Sequence, residues 1–392
     1  MTEFSQRARE ALRDKGLSVR GAARAVNYDH GYLVRVLGGK QAPSPKLAAA
    51  LDDLVCAGGG LAALATAPQP RMPVPSLKLP TLAPDRELYE RLTAIVEHPR
   101  RVDSHAVEWL ERCLAEHRRA EDTIGSGPVI GVVRAQLDTV ADLGREARTG
   151  VRDRLVSLAA QYGQFMAWLC NDQGDKPAAL AWYDRAHGWA MEAADANMAA
   201  TTLSMKAHIA WSVGDGPSCV RLGEAARWHD GHTSRGIAGM AEQMRARGHA
   251  LLSEPDAARK SLDEAETLIR TASERPEDEP DWMYFYGDTW FLAQRGMVEL
   301  DLGEGERAVD MLSRALEGLP EHYRRDRAWY RACLAKAHTV AGDLDAAAEV
   351  TRDTAGDALA VNAYAVDELR DVAVTVTKRV PRVGRDLVDA LR

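Results

Sequence analysis

The feature that most constrains the fold is a pattern of small residues that recurs in the second half of the chain. Each copy begins with a glycine between two helical segments, at Gly174, Gly214, Gly303 and Gly342. A small residue follows five positions later, at Ala179, Cys219, Ala308 and Ala347. Another follows seven positions further on, at Ala186, Ala226, Ala315 and Thr354. Because small side chains let two helices approach closely, the pattern predicts stacked pairs of helices.

The best copy of this pattern runs from Trp290 to Pro320 and resembles the tetratricopeptide repeat. The family's small and helix-ending positions are occupied by Gly296, Gly303, Ala308, Leu312, Ala315 and Pro320. Copies recur about every 39 to 40 residues, so we expect longer helices or loops than in the family's repeat of about 34 residues. A weaker copy contains Ala258, Leu262 and Ala265. A generic helical bundle is the alternative to this interpretation.

The resemblance implies a right-handed α-superhelix whose concave face binds a peptide or a small molecule. We expect about five repeats in residues 160–356, after a helical segment at 85–159 and before capping helices at 357–392. Apolar residues recur at helical spacing throughout this part of the chain, and no segment alternates with a period of two. The whole chain is therefore predicted to be all-α.

The stretch 17–45 is typical of two short helices joined by a tight turn. Ser18 and Asp29 can cap the two helices, because their side-chain oxygens accept hydrogen bonds from N–H groups of the first helical turn. Asn27 lies where the chain must reverse, and asparagine tolerates the left-handed backbone conformation. The side chains expected in the core are Ala22, Ala23, Val26, Leu33, Val36 and Leu37. Those left facing outward on the second helix are His30, Gly31, Val34 and Arg35.

An outward face with arginine and histidine, and with Gly31 allowing close approach, suits the major groove of DNA. Together with a preceding helix at 3–15 and a following helix opened by Ser44 and Pro45, the stretch resembles the helix-turn-helix of the Xre/Cro phage-repressor family, in its actinobacterial regulator branch. The resemblance implies an N-terminal five-helix DNA-binding domain, residues 1–66. The expected DNA-contacting residues are Arg20, Tyr28, Asp29, His30, Gly31, Val34, Arg35 and Lys40.

Two residues depart from the family's pattern. Val19 stands where the family often has a glutamine that contacts a phosphate, so one backbone contact is in doubt. Asn27 replaces the commoner glycine of the turn, which is sterically acceptable.

The charge distribution agrees with a DNA contact at one end of the chain. Residues 1–66 carry nine Lys and Arg against six Asp and Glu, a net charge of +3 within a chain of net charge -8. Six prolines between residues 68 and 84 predict a semi-rigid extended linker at 67–84. An acidic body with a mildly basic head fits a regulator whose DNA contact is confined to one end.

A ligand site is predicted where aromatic residues are densest. Six of the ten residues from Trp282 to Phe291 are aromatic, against 6% of the chain. Such a segment can line an apolar pocket with a few polar tips, although filling a gap beside the acidic insertion at 274–281 is an equally good explanation. The expected ligand-binding residues are Asn197, Trp282, Tyr284, Tyr286, Asp288 and Trp290.

Motifs for other functions are missing from the sequence. We find no phosphate-binding loop, dinucleotide fingerprint, nucleophile elbow or zinc-protease motif, so an enzyme is not expected, nor is a cofactor. The five cysteines are widely spaced, which favours a reducing cytoplasm and buried thiols, and no uncharged run is long enough for a membrane span.

The sequence thus predicts a cytoplasmic, homodimeric transcription regulator that binds a double-stranded DNA operator. The competing hypothesis is a tetratricopeptide scaffold that binds a partner protein and uses the DNA-binding head secondarily.

Overall fold

The computed structural model describes residues 3–38, 43–66, 95, 98–228 and 231–391. Within these ranges the chain is all-helical, with nineteen α-helices, three short 3-10 turns and no β-strand. The all-α prediction is therefore confirmed for the described chain. The chain divides into two compact units, residues 1–82 and 83–392.

The N-terminal unit contains five helices around an apolar core. They are α1 (Glu3–Asp14), α2 (Val19–Ala25), α3 (His30–Leu37), α4 (Pro45–Val55) and α5 (Gly60–Thr66). Every helix except α5 carries at least two side chains of the core, among them Phe4, Leu12, Ala22, Ala23, Leu33, Leu37, Leu47 and Leu51. The carboxylate of Asp52 is buried and accepts hydrogen bonds from the backbone N–H groups of Gly59, Leu61 and Ala62, which fixes the turn between α4 and α5.

In its described residues the larger unit has fourteen helices, each packed against its neighbours in the chain. They are α6 (Ser104–Ile124), α7 (Ser126–Glu146), α8 (Thr149–Asp172), α9 (Lys176–Glu192), α10 (Ala196–Ser212), α11 (Gly216–Ala226), α12 (Arg235–Leu251), α13 (Pro255–Glu274), α14 (Asp288–Asp301), α15 (Gly305–Gly318), α16 (Arg324–Ala341), α17 (Leu344–Val361), α18 (Ala363–Arg379) and α19 (Pro381–Ala390).

The turns of the larger unit follow the glycine pattern of the sequence. The four pattern glycines lie between α8 and α9, α10 and α11, α14 and α15, and α16 and α17, all with φ between +77° and +88°. Glycine adopts this left-handed conformation without steric cost. All eight small residues of the pattern are no more than 1% exposed, so they lie where the helices of a pair meet.

Helices near the two ends of the larger unit pack against each other. Helix α6 contacts α16 and α17, and the Tyr364 hydroxyl of α18 donates a hydrogen bond of 2.8 Å to the Asn171 side chain of α8. Gly125, which separates α6 from α7 with φ +76°, lies against the backbone of Val361; a Cβ at this position would be 2.5 Å from the Val361 carbonyl oxygen. The helices therefore form a closed ring, which the repeat pattern did not predict.

Two predictions concern residues outside the described ranges. The Pro-rich linker at 67–84 and the phosphate contact of Lys40 both belong to segments that the structure leaves undescribed. In the described part of the chain, no helix is both long and apolar enough to cross a lipid bilayer.

Candidate functional site

The first candidate site is the exposed face of α3 in the N-terminal unit. Its geometry depends on two caps: the Ser18 hydroxyl accepts a hydrogen bond from the Gly21 N–H (3.1 Å), and the Asp29 carboxylate accepts one from the Tyr32 N–H (2.8 Å). Asn27 has φ +54° and reverses the chain between α2 and α3. These local predictions are confirmed, and they place α3 immediately after a tight turn.

Most of the predicted DNA-contacting side chains lie on this surface. Arg20, His30, Val34 and Arg35 are exposed, while Leu33, Val36 and Leu37 on the opposite side of α3 are buried. Asp29 is exposed but also acts as the cap, and Gly31 is half-buried. Tyr28 is half-buried and packs near Tyr32, with ring centroids 6.0 Å apart. The face thus presents two cations, Arg20 at the start of α2 and Arg35 on α3, together with the small apolar side chain of Val34.

The second candidate site is a cavity of about 160 Å³ inside the larger unit. Its walls come from six alternate helices, α6, α8, α10, α12, α14 and α16, and from the segment between α13 and α14. The apolar part of the wall consists of aromatic rings and methionines, namely Phe165, Trp168, Trp282, Phe285, Trp290, Trp329, Met205, Met240, Met244 and Met283. A void of this size has room for on the order of ten water molecules, and therefore for a small ligand.

The predicted ligand-binding residues fall into two groups. Trp282, Tyr284 and Trp290 line the cavity, together with Phe285 of the same segment. Tyr286 is buried behind Trp290, at a centroid distance of 4.6 Å, and Asp288 is exposed at the start of α14; neither lines the cavity.

Asn197 does not line the cavity either. Its amide oxygen accepts a hydrogen bond of 2.7 Å from the Ser234 backbone N–H. It therefore positions the start of α12, and its oxygen is engaged within the protein.

One wall of the cavity is a buried cluster of acidic residues around Arg325. The Arg325 guanidinium lies 2.9 Å from Glu121 and 3.8 Å from Asp172, and it also pairs with Asp326. One cation faces several carboxylates, and Asp122 lies close by with its oxygen 2.6 Å from the Tyr284 hydroxyl. Burial, and then repulsion between the carboxylates, raises the pKa of Glu121 to about 8 and that of Asp122 to about 7. The cluster joins α6, α8 and α16, so it also holds the ring closed.

A second polar region surrounds Arg247 on α12. Its guanidinium contacts the His208 Nδ1 at 3.1 Å, hydrogen-bonds to Gln294, and lies 4.3 Å from the Trp211 ring centroid. Gln294 in turn donates a hydrogen bond of 2.7 Å to the Tyr330 hydroxyl. Burial, reinforced by Arg247, lowers the pKa of His208 to about 3. His208 is therefore neutral at physiological pH, and the hydrogen-bond partners of Arg247 carry no charge.

The third polar group of the wall is Arg118 on α6. Its guanidinium lies between two aromatic rings, 5.9 Å from the Phe165 centroid and 5.6 Å from that of Trp282. Its hydrogen bond to Gln161 is long, at 3.4 Å, and its Nη2 has no hydrogen-bond partner among the described residues. Burial lowers the pKa of Arg118 to about 10, still well above neutrality, so the group is a buried cation.

Sequence reasoning missed these charged residues, although α6 contains a signal for them. Arg118, Glu121 and Asp122 continue, at helical spacing, the stripe of Leu110 and Leu114 that is buried in the same helix. Charged residues on a buried stripe indicate a polar interior site. The partners on α16 lie about two hundred positions away in the chain, so spacing along the sequence could not reveal that they meet α6.

The described residues contain no group of three or more His, Cys, Asp and Glu suited to a metal ion. All five cysteines are free thiols; four are buried, but Cys56 is exposed, in contrast to the expectation of buried thiols. No protein-family model matches the sequence, and a search of curated proteins found no match.

Proposed function

We propose that this protein is a sequence-specific DNA-binding transcription regulator of the helix-turn-helix class. The observation that carries the proposal is the α2–turn–α3 arrangement, in which one side of α3 is buried in the core and the other exposes Arg35, Val34 and His30. A short capped helix of this kind can enter a major groove with its N-terminal half. Arg35 can donate two hydrogen bonds to a guanine edge, and Arg20 can neutralise a phosphate.

Binding by a single N-terminal unit would be weak and strongly dependent on salt. The unit offers few cations, and a handful of phosphate contacts supplies limited affinity at physiological ionic strength. We therefore propose that the protein binds as a homodimer to two half-sites about one helical turn, or a multiple of it, apart. Because it acts on DNA, it would work in the bacterial cytoplasm.

The larger unit is proposed to sense an effector in its cavity. Six alternate helices of the larger unit contribute to the wall, so an occupant touches nearly every pair of neighbouring helices. A ligand that prefers one spacing of these pairs would shift the population of ring shapes. In the dimer this change would alter the spacing of the two DNA-binding heads.

The proposal is tested by selecting bound sequences from a random duplex pool with the full-length protein, and in parallel with residues 1–66. The regulator hypothesis predicts an inverted repeat with the full-length protein, and half-sites or nothing with the head. If neither selection yields a motif, the regulator hypothesis is wrong. A partner protein that copurifies in a fixed ratio would then favour the scaffold hypothesis.

A further inference from the structure

The cavity wall contains two buried arginines that form no salt bridge with a carboxylate of the described chain; Asp301, which accepts a hydrogen bond from Trp211, acts on Arg247 only from a longer distance. Arg118 is 7% exposed and Arg247 is 3% exposed. Arg118 contacts Gln161 and two aromatic rings, and Arg247 contacts His208, Gln294 and the sulfur of Met297. A buried cation with only neutral partners is costly, because the protein does not replace the solvation that it loses.

The acidic residues of the same cavity cannot serve these arginines, because they already have partners. Glu121 accepts hydrogen bonds from Ser126 and Trp168 and pairs with Arg325. Asp122 accepts one from Tyr284, and Asp326 pairs with Arg325. The wall therefore has an excess of donors over acceptors, although it carries both signs of charge.

Two buried donors without hydrogen-bond partners in the described chain belong to Arg118 and its neighbour Trp282, and the Nε of Arg247 is a further one on the wall. Besides the Nη2 of Arg118, the indole N–H of Trp282 is buried and has no hydrogen-bond partner among the described residues. The two side chains are adjacent, since the guanidinium lies 5.6 Å from the Trp282 ring centroid. A guanidinium and an indole N–H are both kinds of donor that bind a carboxylate, and here they belong to neighbouring side chains.

The rest of the wall is suited to an apolar ligand body. Trp168, Trp290 and Trp329 present flat ring surfaces, and Met205, Met240 and Met244 present flexible thioethers that adapt to irregular shapes.

We propose that the cavity binds a small, mainly apolar organic anion, whose anionic group is held by Arg118 and the Trp282 indole N–H and whose body packs against the tryptophans and methionines. Arg247 supplies a second positive charge on the same wall. The inference rests on the proposed role of the cavity as an effector site, and it names the class of effector. It also explains why Arg118 is kept unpaired: the ligand supplies the missing negative charge.

The test compares three probes of nearly the same shape with the full-length protein, by isothermal titration calorimetry and without DNA. Naphthaleneacetate carries a negative charge, naphthaleneethanol is neutral and naphthaleneethylamine is positive. We expect the acetate to bind, the alcohol to bind about tenfold or more weakly, and the amine not to bind, since a hydrogen bond to a charged group contributes about this factor. Equal binding of the acetate and the alcohol, or binding of none of the three, would overturn the proposal.

Variants of Arg118 separate a binding role from a structural one. Arg118→Met should weaken acetate binding about tenfold or more and remove the preference over the alcohol, whereas Arg118→Lys should retain part of that preference. The matched control is Arg112→Met, which removes the same charge from an exposed position of the same helix and should leave binding unchanged. Without ligand, Arg118→Met should have a Tm equal to or above that of the wild type, because it replaces an unpaired buried charge by an apolar chain. A Tm lowered by several degrees, or failure to fold, would show that Arg118 is structural and would contradict the proposal.

The result of the probe-binding test does not depend on the result of the DNA selection. A protein that selects an inverted repeat but binds none of the probes remains a regulator with a different effector. A protein that prefers the acetate through Arg118 but selects no DNA retains the anion site and loses the proposed regulatory function.

Discussion

The described lysines and arginines of the N-terminal unit are exposed and its buried carboxylate, Asp52, is held by backbone N–H groups, whereas the larger unit buries several charged side chains around a cavity. On α3 the arginine and the histidine are exposed and the core beneath them is apolar. In the larger unit Arg118, Arg247, Glu121 and Asp326 are buried, and only 11% of the Arg325 side chain is exposed. Exposed cations can follow an extended anionic partner such as DNA, while enclosed ones can recognise only a molecule small enough to enter.

The two units also differ in how their charged side chains affect the stability of the fold. Exposed cations cost little and contribute little to folding. Buried ones must be neutralised by the protein or by a ligand, because the interior solvates them poorly. Arg325 is neutralised by carboxylates from three helices and holds the ring together, whereas Arg118 is not. The predictions below test whether the buried charges of the larger unit stabilise its fold as this contrast implies.

The largest effect is expected for Arg325→Met. Removing this cation leaves Asp172 and Asp326 without their counter-charge and takes a polar partner from Glu121, so the free energy of unfolding should fall by about 3 to 5 kcal/mol. Urea denaturation of the full-length protein measures the loss. Arg324→Met is the matched control, because Arg324 is partly exposed and pairs with Asp357 at 3.1 Å; it should cost no more than about 1 kcal/mol. Equal effects of the two variants would show that the buried cluster is not what closes the ring.

A smaller loss is expected for Gly125→Ala. The new Cβ would meet the Val361 carbonyl oxygen at 2.5 Å, and the position has φ +76°, so clash and backbone strain together should cost about 2 to 4 kcal/mol. Gly131→Ala on α7 is the control, since a Cβ there meets nothing within 4 Å, and it should be neutral or slightly stabilising. If Gly125→Ala unfolds at the same urea concentration as the wild type, the packing of α6 on α17 contributes nothing to stability.

The stability of the larger unit should decrease as the pH rises above neutrality. The pKa of Glu121 is raised from its ordinary value of 4.5 to about 8, so the folded protein holds a proton that the unfolded chain has released. The stability that this retained proton contributes is fully present below the pKa of Glu121 in the unfolded chain. It is lost as the pH rises through about 8, the pKa of Glu121 in the folded protein. Between about pH 7 and about pH 9 we expect a loss of about 1 to 2 kcal/mol.

Thermal unfolding across this pH range measures the effect, and Glu121→Gln should make the curve flatter. The control is Glu108→Gln, which changes a half-exposed carboxylate of the same helix and should leave the slope as it is. A wild-type Tm that stays constant or rises above neutral pH would contradict the assignment of a protonated Glu121.

The features that the sequence predicted correctly are local ones. Ser18 and Asp29 cap their helices, Asn27 makes the left-handed turn, and Gly174 and Gly214 separate paired helices. Each depends on the conformational preference of one residue and on neighbours within a few positions. The aromatic segment predicted as a ligand site also supplies Trp282, Tyr284 and Trp290 to the cavity.

The features that the sequence did not predict depend on contacts between distant parts of the chain. Whether Asn197 faces a groove or holds the start of α12 depends on Ser234, which is 37 positions away. Whether Arg118 and Glu121 are surface charges or a cavity wall depends on α16, and the ring brings that helix back to α6. The spacing of residues within one helix indicates which of them share a face, but it does not indicate which other helix packs against that face.

The central claim, that the exposed face of α3 reads DNA, is tested most directly by the affinity of Arg35→Ala for the selected duplex. Arg13→Ala is the matched control, since it removes the same charge from an exposed position at the end of α1. We predict that Arg35→Ala loses about 1 to 3 kcal/mol of binding free energy and relaxes one base position, as expected for a lost arginine–guanine contact, while Arg13→Ala binds nearly as the wild type. Wild-type affinity and specificity in Arg35→Ala would contradict the account of how this unit meets DNA.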